Sequence, residues 1–73
     1  MRVRSLTTRA KAQGFLVLED NCTIRIRNNK TGVMILIWHD NAGFVSAQRA
    51  DVRIDLALNI RTVKRCAEIL GVK

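Results

Sequence analysis

Proline and tyrosine are both missing from this chain of 73 residues, and each absence removes a class of reading. Without proline there is no stiff linker, and no stretch rich in Gly and Ser or of low complexity interrupts the chain, so residues 1–73 read as one small domain. Without tyrosine the aromatic set is Phe15, Trp38 and Phe44, too few for the stacked platforms of single-strand-binding proteins. Apolar runs stay far below the ~20 residues of a membrane span. No charged start leads into an apolar stretch and a small-residue cleavage site, so a cytoplasmic address without membrane contact is expected.

Chemistry-bearing residues are equally scarce. Cys22 and Cys66 lie far apart without Cys-x-x-Cys spacing, and His39 is the one histidine, whereas structural zinc usually takes four such ligands. Both thiols are expected to be reduced, with Cys66 a small buried residue of a helical stripe. His39-Asp40 could pair a base with its orienting carboxylate, but neighbours on a strand point to opposite faces. Asp51 and Asp55 could share a face as metal ligands only if that region were helical. There is no Gly-x-Ser-x-Gly, phosphate loop, His-x-x-x-His or dinucleotide fingerprint. No catalytic residue, metal site or cofactor is expected, and the chain reads as a binder rather than an enzyme.

What the chain has in excess is positive charge: thirteen Lys and Arg against six acids, +7 formally. Such an excess favours phosphate backbones and acidic surfaces through counterion release and steering. Residues 1–14 hold Arg2, Arg4, Arg9 and Lys11 with no acid, 22–32 hold Arg25, Arg27 and Lys30, and 59–73 set Arg61, Lys64, Arg65 and Lys73 against Glu68.

Patterning predicts an α+β fold. Residues 5–13 read as a short basic helix with Ser5 as N-cap and Gly14 closing it, and residues 1–4 are open to reading as a disordered basic arm. Phe15-Leu16-Val17-Leu18 is a first strand. Thr23-Ile24-Arg25-Ile26-Arg27 alternates as a second, and Asn28-Asn29-Lys30-Thr31-Gly32 turns into a third, Val33 to Trp38, apolar on both faces. Trp38 is expected in the core. Val52 to Ile60 alternates as a fourth strand, with a helix from Ser46 to Leu58 as the rival. Thr62 caps a C-terminal helix striped by Val63, Cys66, Ala67 and Leu70 and ended by Gly71. The expected architecture is thus a short N-terminal helix, a three- to four-stranded antiparallel meander and a C-terminal helix packed on one face. An uncovered second face would make the chain a candidate homodimer.

Residues Thr62 to Val72 resemble the first helix and turn of helix-turn-helix regulators, a likeness confined to eleven residues that carries over no base-reading side chain. The helix, three strands, helix order with Gly14-Phe15 opening the first strand resembles double-stranded-RNA-binding domains and the small toxin ribonucleases of the HicA type. Arg61, Lys64 and Arg65 loosely echo the lysine cluster of the former. The catalytic histidine of the latter has no counterpart in Asp20-Asn21-Cys22-Thr23.

The expected function is therefore a small basic regulatory protein that contacts DNA or RNA mainly through phosphates, using Arg25, Arg27, Lys30, Arg61, Lys64 and Arg65. The alternative is an interaction factor that docks on an acidic protein surface and modulates a larger complex such as transcription machinery.

Overall fold

The structure, a computed structural model, describes residues 1–53 and 58–73. Helix α1 (Val3–Ala12) leads into strands β1 (Leu16–Glu19), β2 (Thr23–Arg27), β3 (Met34–Asp40), β4 (Gly43–Arg49) and β5 (Asn59–Ile60), and helix α2 (Val63–Leu70) follows. The strands form one antiparallel sheet in chain order. Both helices contribute to the core formed with one face of that sheet. The α+β meander flanked by two helices is as the patterning predicts, with five strands in place of three or four. No described helix is long and apolar enough to cross a membrane.

The core follows from alternation. Ile24 and Ile26 of β2 lie opposite Ile37 and Ile35 of β3, and all four are buried beneath Leu6 and Ala10 of α1 and the stripe Val63, Cys66, Ala67 and Leu70 of α2. Helix α1 starts earlier than Ser5, which lies inside it, and Arg2 occupies the N-cap position without a side-chain capping bond. Burial extends the helix: Val3 packs on the core in the same stripe as Leu6, Thr7 and Ala10, so a further turn gains apolar contact. Residues 3 and 4 therefore belong to the helix rather than to a loose arm.

Strand β4 is the largest departure from the sequence reading. Ser46 to Arg49 are strand, which overturns the rival helix from Ser46, and Val52 and Arg53 lie outside any strand. Of the predicted fourth strand, residues 54–57 fall outside the described residues and Asn59–Ile60 form β5. A shift of register between Trp38 and His39 explains why β4 does not alternate legibly: Trp38 faces Ser46, but His39 faces Phe44, leaving Val45 as the extra residue of a bulge. The tight turn before it is held by the Asp40 carboxylate, which accepts from Ala42 N–H at 2.8 Å, and by Gly43 at φ 113°.

The end of α2 is fastened by a side chain. Gly71 adopts φ 79°, and its N–H and that of Val72 turn back onto the carbonyls of Ala67 and Glu68. Buried Asn28, in the β2–β3 loop, donates its amide N–H to the Leu70 carbonyl at 2.8 Å and accepts from Lys30 N–H at 2.9 Å. Replacing Asn28 by Ala should lower stability by about 2 kcal/mol, since two hydrogen bonds go and a helix-end carbonyl loses its partner. Asn29→Ala should be nearly neutral, and chemical denaturation of the two variants checks the contrast.

The thiols differ as sharply. Cys66 is buried and burial pushes its thiol up to about 11, whereas Cys22 is exposed. A thiol reagent at pH 7.5 should label Cys22 alone in the folded protein and both cysteines after unfolding. Because the folded-state value lies above the unfolded one, the Cys66 contribution to stability is complete at neutral pH. It is lost as pH rises from the ordinary 9.0 toward 11.

Candidate nucleic-acid interface

The six cations picked out in the sequence do not share one surface. Ile24 and Ile26 point into the core, so Arg25 and Arg27, which alternate with them, stand exposed on the opposite, uncovered face of the sheet. Lys30 lies in the β2–β3 loop, beside Gly14, Gly71 and Lys73 at the C-terminal ends of both helices. Arg61 and Arg65 stand at the front of α2, lining a groove of about 520 Å³ with Arg49, Leu58 and Ile69. Lys64 is exposed on the first turn of α2. Thr62 caps that turn by accepting from Arg65 N–H at 3.1 Å, and the Arg65 guanidinium reaches Glu68 at 3.1 Å.

The helix layer adds cations that the sequence grouping left out. Helical spacing puts Arg9 and Gln13 on one flank of α1 and Arg4 and Lys11 on the other. Lys11 meets Glu19 of β1 at 3.3 Å, while Gln13 exchanges two hydrogen bonds with the main chain of Lys73, at 2.9 and 3.0 Å. The first flank therefore faces α2, the two helices run parallel, and Arg9 borders the groove between them, while Arg2, extended at the N-cap, lines a groove with Arg4 and Lys11. On α2, Ile69 lines the groove on the β5 side, so Lys64, on the other flank, borders the same inter-helix groove.

Neither helix has an acid in its first turn. Both positive dipole ends therefore lie beside cations rather than the carboxylates that would normally offset them. Among the described residues no carboxylate pairs with Arg2, Arg4, Arg9, Arg61 or Lys64. Arg49, by contrast, is taken: its guanidinium grips both oxygens of Asp51, which holds the carboxyl below its usual range and the guanidinium above its own. Asp51 is thereby committed to an ion pair, and Asp55 lies outside the described residues.

His39 sits near the N-terminal end of α1 in a groove of about 850 Å³ lined also by Arg2, Arg4 and Phe44. Its Nε2 is buried without a partner, and Asp40 is engaged with Ala42, so the two do not hydrogen-bond to one another. No three His, Cys, Asp or Glu groups gather into a metal site among the described residues.

Trp38 is half-buried on the open face of the sheet, opposite Thr23 and Ser46, instead of in the core. Only Ile35 and Ile37 of strand β3 are fully covered by the helices; Met34, Leu36 and Trp38 occupy its other side.

Comparison of the chain with protein-family models, with curated proteins and with solved structures finds no match.

With Trp38 on the open face, acrylamide should quench the fluorescence of the native protein readily. A quenching constant between that of a free indole and the near-complete shielding of a core tryptophan is expected.

Proposed function

We propose that the chain is a small regulatory protein that binds DNA or RNA mainly through the phosphate backbone, with the helix layer as the binding surface. The supporting observation is the set of exposed cations without carboxylate partners on that layer: Arg2, Arg4 and Arg9 from α1 and its start, Arg61 and Lys64 at the front of α2. Like charges gathered on one side repel one another, and a phosphate backbone relieves the repulsion while releasing its own condensed cations. Arg65 joins them on exchanging Glu68 for a phosphate, since an exposed pair of that kind contributes little.

The molecule extends 29 × 28 Å across its broad face, less than the ~34 Å of one duplex turn, so contacts stay within a single turn. Base discrimination is modest in this reading, because contacts to phosphate position a protein without reading sequence. Arg25 and Arg27 take no part, lying on the far side of the sheet.

Binding to a fluorescent 20-base-pair duplex should weaken steeply with salt, with a slope of log K against log salt of about −5.4 if about six cations, Arg65 included, engage. Replacing Arg9 and Lys64 together by Gln should make that slope shallower by about two and weaken binding equally on unrelated sequences. A slope near zero, or one unmoved by the double replacement, would overturn the proposal.

A further inference from the structure

The open face of the sheet carries a second, differently built surface. Leu18, Arg25, Leu36 and Gln48 form one cross-strand row, and Leu16, Arg27 and Met34 form the next. Leu16 and Leu18 are 45% and 53% exposed, large apolar side chains that no described residue covers, and the bulge residue Val45 is 56% exposed. Each guanidinium thus stands between apolar neighbours on both sides, and no carboxylate pairs with it among the described residues. We infer that this face docks an acidic amphipathic helix of a protein partner, with the apolar stripe on β2 and β3 and two carboxylates on Arg25 and Arg27.

Charge selects that occupant. A second copy stacked face to face would bring two guanidiniums from each side into a drying interface whose nearest carboxylates, Glu19 and Asp20, lie at its edge beside Arg25, so that Arg27 at the centre meets no anion, an arrangement that removal from water makes costly. A nucleic-acid strand would find phosphate partners but one stacking residue, Trp38, since Phe15 and Phe44 pack toward the core. Carboxylates set in an apolar stripe satisfy both halves of the surface, and Arg, Trp and Met are the residue types enriched at such interface centres.

Spacing fits as well. Arg25 and Arg27, two residues apart on one strand, are separated by about 7 Å, close to the distance of about 6 Å between side chains at i and i+4 of a helix. A helix about 10 Å wide covers two strands, here β2 and β3.

This inference does not depend on the nucleic-acid reading, which uses the other side of the sheet. Its test is a displayed library of amphipathic helices with a fixed leucine stripe and Asp, Glu, Asn, Lys or Ser varied at flanking positions. The folded protein should enrich clones with acids at i and i+4 at least tenfold over an Arg25→Gln/Arg27→Gln variant. A synthetic peptide of the enriched sequence should shift Trp38 emission to the blue on saturable binding. Lys64→Gln should leave that shift intact, separating the two faces. Arg25→Gln alone, expected to lose part of the enrichment, serves if the double variant melts early.

Clones without acids, no clones at all, or equal enrichment by both proteins would overturn the inference. So would a concentration-dependent dimer that itself shifts Trp38 emission, which gives the face to a second copy. Saturable quenching of Trp38 by an oligothymidine, undone by Arg25→Gln/Arg27→Gln, would give it to nucleic acid and overturn the inference likewise.

Discussion

Two guanidiniums on β2 decide which side of the sheet becomes the core. Strand β3 is apolar at every position from Met34 to Trp38 and so has no preference of its own between faces. Its partner β2 has one: isoleucines at 24 and 26, arginines at 25 and 27. Covering the arginine side with the chain's own helices would bury two cations, and neither α1 nor α2 presents an acid on its buried stripe to pair them. Both helices therefore go to the isoleucine side. Met34, Leu36 and Trp38 remain on the outside because of the residues next to them, not because of what they are.

From that choice the other contacts follow. With both helices on one side and parallel, their C-terminal ends meet the β2–β3 loop, and unsatisfied helix-end carbonyls accumulate there. Asn28 supplies a donor from the loop to Leu70, and Gln13 ties the end of α1 to the chain beyond α2. These are long-range bonds made by polar residues of turn-forming type. In sequence Asn28 looks like a hairpin residue, and it is one, with its carboxamide oxygen on Lys30 N–H; its other role comes only from where the helix ends.

The parts legible in the sequence are those whose periodicity is uninterrupted. Strand β2 alternates cleanly, and α2 has a capping Thr62, a four-residue apolar stripe and a closing Gly71. Strand β4 was hidden because the bulge at Val45 breaks the period-2 pattern on which a strand is recognised, and β5 is two residues long. The site was less legible than the fold for a related reason. Grouping cations by segment joins Arg25 and Arg27 to Arg61, Lys64 and Arg65, but alternation sends the first pair through the sheet to the other side. Arg9 of α1 belongs with Lys64 only once the helices are known to be parallel neighbours.

A two-faced arrangement also sets how the two proposed partners would influence one another. The molecule is 20 Å through its thin direction, more than twice the ~8 Å over which charge is screened in physiological salt. An acidic helix neutralising Arg25 and Arg27 would then leave the potential over α1 and α2 nearly unchanged, and both partners could be held together. In dilute buffer the screening length grows to ~30 Å, beyond the thickness of the molecule, and the same neutralisation reaches the helix layer. There the proposed acidic partner would weaken phosphate binding, and reciprocity would require that nucleic acid weaken the acidic partner by the same factor. Coupling between two such partners would therefore be electrostatic in origin, negative in sign and confined to low salt, whereas coupling through the shared core would persist when salt is added.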